Sequence, residues 1–466
     1  MRYDLAVIGA GPGGYVAAIR AAQLGMKVAV IESREAGGTC LNRGCIPTKT
    51  LLHSAEAFDR MRHCEALGLS VSGCGYDMEK MHARKNEIVG QLRSGIEQLF
   101  RANKIDLYRG TGTILSAGAV AVKGEGSEET VEAGKILIAT GSKPAVPPVP
   151  GLDLPGVLTS DGLLAGPVDP KRLLIIGGGV IGVEFASLYQ RLGCEVTIVE
   201  ALDRLLPNMD REISQNLSMI FKKRGVSVHT SARVEEIVQE GEALVCRFTE
   251  KGKTGEAAAE RILLAIGRRA ATEGLFAEGV SVETERGAVK VNERFETSLP
   301  GVYAIGDVIF GGVQLAHAAS AEGIAAVEGM AGEAPSVNLS VVPSCIYTEP
   351  EIASAGITAD EAKQRGAAVK TGKFIMTANG KTLIEGADRS FVKLVFSAED
   401  DRLLGAQLMC PRATDLISEL AAAIANGLTG RQLASVIRPH PTFCEAVTEA
   451  VEAASGKAIH AAPPRR

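Results

Sequence analysis

The chain has no basic surplus. Lys and Arg number 50 against 55 Asp and Glu, a net charge of -5, so the electrostatic footprint of a nucleic-acid-binding protein is missing. No uninterrupted apolar run is long enough to cross a bilayer. The amino end, Met1-Arg2-Tyr3-Asp4, leads straight into a strand-like run, with neither a signal peptide nor an Arg-rich transit segment. These absences point to a cytoplasmic protein with no nucleic-acid or membrane partner, or to a matrix protein whose leader has been removed. Cysteine is sparse too. The nine residues lie at 40, 45, 64, 74, 194, 246, 345, 410 and 444, too scattered for a secreted disulfide framework. A zinc site needs about four ligands, and no second close cysteine pair exists, so no metal is expected. Low-complexity segments are absent as well.

What is present begins with size. At 466 residues and 46% apolar, the chain has material for about three domains with full cores. Cys40 and Cys45 stand five residues apart, with four between them, in GGTCLNRGCIPTK (37–49). In a reducing compartment such a pair is more often catalytic than structural. Alone it also fits two free thiols, half a metal site or coincidence.

The strongest internal signal is a repeat. Residues 5–32 and 173–200 align without a gap at an offset of 168, with identities that include Ile8/Ile176, Ala18/Ala186, Leu24/Leu192 and Val28/Val196. Each copy reads as an apolar strand, a Gly-x-Gly-x-x-Gly turn, a helix and a second strand ending in Glu. The glycines are Gly9, Gly11 and Gly14 in one copy and Gly177, Gly179 and Gly182 in the other. The first makes the turn, the second admits a pyrophosphate to the backbone, and the third packs helix on strand. The helix amino terminus then stabilises phosphate charge. Glu32 and Glu200, each 23 residues after its first glycine, are placed to accept hydrogen bonds from a ribose diol. A chance strand-turn-helix explains one such copy but not two with a matched Glu. Two bound dinucleotides are expected.

Elsewhere the pattern is coarser. Residues 51–62 and 82–103 read as helices, 105–138 as short strands, and the Pro-rich 143–150 as a crossover linker. ILIATG (136–141) and ILLAIG (262–267) read as closing strands of the two nucleotide domains. Strands alternate with turns over 341–410, and helices dominate 412–454.

With GAGPGG (9–14), GGTCLNRGCIPTK (37–49), GGGVIGVE (177–184), YAIGD (303–307), LAH (315–317) and HPTFCE (440–445), the chain resembles the flavin-disulfide reductases, the class I pyridine nucleotide-disulfide oxidoreductases. Within them it resembles most strongly the dihydrolipoamide dehydrogenases. The likeness runs over essentially the whole chain. It implies an α/β fold with two Rossmann-like dinucleotide-binding domains plus a carboxy-terminal α+β interface domain. The implied divisions are 1–142 for FAD, 143–269 for NAD, 270–340 for a central return to the FAD domain and 341–466 for dimerisation.

The resemblance also implies roles. Cys45 is the thiol against the flavin and Cys40 the thiol that meets substrate, the two forming a redox-active disulfide. Lys49 lies near the flavin, four residues after Cys45 and so on the same helix face, and Glu184 pairs with it. Asp307 binds the flavin ribitol, and Gly112, Ala316 and Gly267 touch the cofactors through backbone. His440 and Glu445 are the catalytic base and its orienting carboxylate. Taken singly, Lys49, Glu184, Asp307 and His440 would read as a solvated Lys, an ordinary helix Glu, a turn-capping Asp and a structural His.

The implied activity carries electrons from protein-bound dihydrolipoamide through the disulfide and FAD to NAD+, in a homodimer whose sites are shared between chains. The lipoyl group is expected from a partner, a 2-oxoacid dehydrogenase complex or the glycine cleavage system. Rival readings are glutathione reductase, which prefers a phosphate-bearing nicotinamide that Glu200 would repel, and mercuric reductase, which needs a carboxy-terminal cysteine pair that this chain lacks. A flavin-binding regulatory subunit without turnover is the reading from another class. Four departures from the family pattern stand out: Arg438 and Glu349 where His is common, Cys444 for Ser, and Met409-Cys410-Pro411 for a Gly-rich turn. They are expected to bear on partner specificity more than on chemistry.

Overall fold

Alternation along a few short strands decides the first half of the fold. In Arg2–Ile8 and Val28–Glu32, paired in parallel with Leu5 opposite Val28 and Ile8 opposite Ile31, every second residue faces the same way. Leu5, Val7, Val28, Val30 and Leu137 enter one buried cluster, while Ala6, Ile8, Ala29, Ile31, Ile136 and Ile138 enter another. Both faces of this sheet are therefore covered, as parallel strands require.

A computed structural model describes residues 2–387 and 389–462. The chain divides into two compact units, Met1–Pro170 with Arg261–Leu339 and Lys171–Glu260 with Ser340–Arg466. The last residues used above to set aside mercuric reductase, 463–466, lie outside the described residues.

In the first unit the sheet runs Asp106–Arg109, Val28–Glu32, Arg2–Ile8, Glu128–Ile138, Ala119–Lys123 and Thr111–Ser116, and Val302–Ala304 pairs with Glu128–Ile138. The Pro12–Gln23 helix covers one face through Ala17, Ala18 and Ala21. Their small side chains allow close approach. The helix read from 51 begins at Cys45 and runs to Arg62, and that read from 82 begins at Met78, capped by Asp77 through the Lys80 amide.

The Met78–Ala102 helix buries two polar side chains. Lys85 donates from Nζ to the Leu164 carbonyl at 2.6 Å. His82 is 4% exposed, and among the described residues neither ring nitrogen meets a partner. Burial first, and the Lys85 charge second, push its pKa down to about 4. A free imidazole titrates near about 6.5, so the unfolded chain takes up this proton first as pH falls. Stability is then full above about pH 6.5 and is lost progressively as the pH falls toward about 4. Thermal midpoints measured across that window should fall, and His82→Leu should flatten the slope. An unchanged slope would refute the assignment.

The second unit repeats the opening motif. Arg172–Ile176, Glu195–Glu200 and Ser227–Thr230 form parallel neighbours, with Glu195–Glu200 central and the Val180–Arg191 helix between the first two in sequence. An antiparallel sheet of Ala232–Glu240, Ala243–Glu250 and Lys253–Ala259 follows. The carboxy-terminal part is a five-stranded antiparallel sheet ordered Ser344–Ile346, Ile352–Gly356, Leu403–Met409, Phe391–Ser397 and Val369–Ile375. Ala413–Ala425 and Glu445–Ala453 pack on it, sending Ile417, Leu420, Ala423, Val447 and Val451 into its core. The buried stripe of the Ala-rich helix thus serves its own chain's core. Among the described residues, no helix is long and apolar enough to cross a membrane.

Candidate active site

The two glycine turns are built alike. Gly9 and Gly177 end their strands with φ of 104° and 110°, where a side chain is strained. A Cβ on Gly14 would stand 1.9 Å from the Gly9 carbonyl oxygen, and one on Gly182 would stand 2.0 Å from that of Gly177. Gly11 and Gly179 are the N-caps of their helices. Beyond a Cβ on Gly179 lies open space, and beyond one on Gly11 only Gly38 Cα at 3.9 Å. The carboxylates match as well. Glu32 accepts from the Ala10 amide at 2.7 Å and the Arg34 amide at 2.8 Å. Glu200 accepts from Gly178 at 2.5 Å and Leu202 at 2.7 Å. Each acidic tip is fixed by its own turn before any ligand arrives, and the second lone pair on each oxygen stays available for a diol.

Asp307 lies in the short turn Gly306–Val308 after strand Val302–Ala304 and accepts from Ser142 Oγ at 2.5 Å. Arg268 holds Ser142 from the other side, through Nε to Oγ and through an amino nitrogen to the carbonyl, both at 2.7 Å. Glu322 accepts from the Gly306 amide at 2.7 Å. Burial pushes its carboxyl up, and the neighbouring Asp307 charge adds to that. Gly112 sits in strand Thr111–Ser116, where a Cβ would press on Ile8 and Ile31 at 3.1 and 3.2 Å. Ala316 opens the Ala316–Met330 helix, and the Gly267 carbonyl accepts from the Ala145 amide at 3.0 Å.

The thiols sit at a break between two helices. Gly44 separates the short helix Gly38–Arg43, which carries Cys40, from the helix Cys45–Arg62, whose first residue is Cys45. Both are thiols in this structure. The neighbouring Cys45 thiol first, and burial second, push the Cys40 thiol up. Cys45 opens its helix at the amino terminus, where a thiolate is favoured. Lys49, one turn along, is near enough for its charge to act on Cys40. Asn42 ties the loop down, donating to the Ala36 and Gly38 carbonyls at 2.9 and 3.0 Å.

In the second unit His440 Nδ1 meets Glu445 Oε1 at 2.8 Å, and the Thr442 amide holds Oε2 at 2.9 Å. A carboxylate only accepts, so Nδ1 carries the proton and Nε2 is the basic nitrogen. Partial burial pushes the Glu445 carboxyl up, but the Thr442 amide and the His440 ring outweigh it and hold it below the usual carboxylate range. The imidazole is 78% exposed. Glu184 lies on the Val180–Arg191 helix and accepts from the Tyr347 amide at 3.1 Å.

A family profile described as pyridine nucleotide-disulphide oxidoreductase matches residues 3–323, and its dimerisation domain matches 342–451. The chain belongs to this family. FAD and NAD(H) are the family's cofactors. The open space over Gly179, the near-open approach to Gly11 and the two amide-held carboxylates fit two dinucleotides. The chain is 44% identical to a dihydrolipoyl dehydrogenase of Bacillus subtilis (strain 168), covering 98% of this chain and 99% of that one. It is 43% identical to the dihydrolipoyl dehydrogenase of Thermus scotoductus, covering 98% of each. Among solved structures, LpdA from Mycobacterium tuberculosis aligns with a TM-score of 0.89 at 28% identity, covering 96% of this chain and 99% of that one.

Two of the family departures have internal roles. Arg438 is 4% exposed and donates to Glu419, to Thr448 and to the Leu433 carbonyl. Glu349 accepts from Arg191 at 2.7 Å and Arg224 at 3.1 Å. Sequence reasoning missed Ser142, Arg268 and Asn42. The first two each directly follow a strand-ending glycine, Gly141 and Gly267, which was the available signal.

Proposed function

We propose that the chain is a dihydrolipoyl dehydrogenase, oxidising a dihydrolipoyl group carried on a partner protein through Cys40 and Cys45 and delivering the electrons to NAD+. The observation that supports this reading is the thiol pair, Cys40 on the short helix before Gly44 and Cys45 at the first position of an 18-residue helix. In the oxidised form the pair is a disulfide. A substrate thiolate attacks Cys40 and forms a mixed disulfide, and Cys45 leaves as thiolate. His440 takes the substrate thiol proton on Nε2 while Glu445 stabilises the resulting cation. The second substrate thiol closes the lipoyl disulfide and releases Cys40. FAD and NAD supply the two-electron and hydride chemistry when bound. Gly9, Gly11, Gly14, Glu32, Gly112, Asp307 and Ala316 are proposed to hold the first, and Gly177, Gly179, Gly182, Glu200 and Gly267 the second. Lys49 and Glu184 are proposed to act beside the flavin.

The proposed partner is the lipoylated protein of a 2-oxoacid dehydrogenase complex or of the glycine cleavage system, and the proposed location is the cytoplasm. Domain limits at 142, 269 and 340 belong to the same reading. Its test is anaerobic mixing of the purified flavoprotein with dihydrolipoamide. Flavin reduction within the turnover time is expected, and a flavin that stays oxidised would overturn the assignment.

NAD should be preferred over NADP. In this reading Glu200, held by the Gly178 and Leu202 amides, faces the ribose and would meet a 2′-phosphate. A like-charge contact at 4 Å costs about 4 kcal/mol at an effective dielectric of 20, and solvent screening lowers that. Arg204, the nearby cation, is drawn instead to the Pro207 carbonyl at 2.7 Å and Asp203 at 3.8 Å. A preference of about hundredfold in kcat/KM is expected, and equal values for the two nucleotides would refute it.

A further inference from the structure

The Val180–Arg191 helix carries more than a glycine turn. Glu184 and Arg191 are seven residues apart, on one face and about 10.5 Å along the axis. Against that face runs the segment after strand Ser344–Ile346, which bends at 348–350. Its Tyr347 amide donates to Glu184 Oε1 at 3.1 Å, and its Glu349 carboxylate accepts from Arg191 at 2.7 Å. The Tyr347 contact is made by backbone and the Glu349 contact by side chain, and the long Arg191 side chain spans the remaining distance. Arg224, the C-cap of the Arg211–Lys223 helix, reaches the same Glu349 oxygen at 3.1 Å. The segment is therefore pinned to the helix at two points, two residues apart.

The Glu349 end cannot slip cheaply. Arg191 is 4% exposed, and its Nε meets no acceptor, so Glu349 is the carboxylate that compensates its charge. A buried guanidinium without its carboxylate is strongly destabilising. Partial burial pushes the Glu349 carboxyl up, but Arg191 and then Arg224 outweigh it, so it stays ionised. What this pinning fixes is the Tyr347 amide, and through it one oxygen of Glu184.

We propose that Glu349, held by Arg191 and Arg224, is a positioning residue that sets the Glu184 carboxylate through the Tyr347 amide. The inference rests on the reading that Glu184 acts beside Lys49 in the catalytic cycle. It gives the departure at position 349 a role in the chemistry as well as in the carboxy-terminal sheet.

The experiment is a double-mutant cycle on the holoenzyme with Glu349→Gln, Glu184→Gln and both together. Arg224→Gln is a milder second probe, because Arg191 keeps its partner. Three quantities are read: kcat for dihydrolipoamide oxidation, the long-wavelength absorbance of a thiolate against the flavin, and deuterium uptake by the peptide containing Tyr347. Glu349→Gln should lower kcat about threefold to tenfold, weaken the absorbance, leave KM for NAD within about twofold and speed uptake at Tyr347. Arg224→Gln should do the same to a smaller degree. The double variant should be no slower than Glu184→Gln, since one residue acts through the other. Wild-type kcat and uptake in Glu349→Gln, or losses that multiply in the double variant, would overturn the proposal while leaving Glu184 in place. Wild-type kcat in Glu184→Gln would overturn the reading of Glu184, and the proposal with it, whatever uptake at Tyr347 showed.

Discussion

Cys45→Ser is expected to abolish dihydrolipoamide-linked NADH formation while leaving a folded, yellow protein. A serine oxygen forms no disulfide and no thiolate, so the electron carrier is lost. A loss of at least about thousandfold is expected, the scale for removing a covalent catalyst. Flavin binding should survive, because the proposed cradle is built from Gly9 to Glu32 and from Asp307, and none of these contacts uses a thiol. Cys40→Ser is the informative companion. It should be equally dead with dihydrolipoamide yet keep a thiolate at Cys45, and so keep the long-wavelength absorbance that Cys45→Ser lacks. Normal turnover in Cys45→Ser would remove the dithiol from the mechanism altogether.

The second large effect is a rescue. His440 presents its ring to the outside, with Ile437 96% exposed and Val436 48% exposed just before it. A base this open, a few residues after two bare apolar side chains and inside the span matched by the dimerisation profile, is suited to act on another chain's thiols. In the proposed dimer, each site takes Cys40 and Cys45 from one chain and His440 from the other. Homodimers of Cys45→Ser and of His440→Ala should both be inactive. Co-expressed under different tags and purified as a heterodimer, they should recover about half the wild-type activity by counting sites. One site then holds both substitutions and the other neither. A heterodimer as inactive as its parents, or a monomer fully active in a sizing experiment, would rule the arrangement out.

The parts legible in the sequence were those whose signal is local. The two glycine turns and their matched Glu residues are written within 28 residues each, and the structure reproduces them down to the amides that hold the carboxylates. His440 and Glu445 are five apart and meet directly. The Cys45–Arg62 helix starts six residues before the 51–62 span that the apolar pattern gives. Pro47 falls in the first turn, where its missing N–H costs nothing. The illegible parts join distant residues. Ser142 meets Asp307 across 165 positions, and Arg191 meets Glu349 across 158. No spacing rule reaches that far. Arg438 and Glu349 could be marked as departures, but only tertiary packing reveals that their partners are Glu419 and the Arg191–Arg224 pair.

The tip of the second nucleotide turn bears on any attempt to redesign cofactor choice. Glu200 is both the expected diol acceptor and the acceptor for the Gly178 and Leu202 amides. Swapping it for a neutral amide would orphan at least one of two backbone donors, and for a basic side chain both, in a nearly buried setting. Each orphan costs about 1–3 kcal/mol, enough to loosen the very loop that has to grip the new nucleotide. A successful NADP-using variant would have to rebuild residues 201–204 so that their backbone supplies its own acceptors. Single substitutions at position 200 should weaken both nucleotides before they favour either.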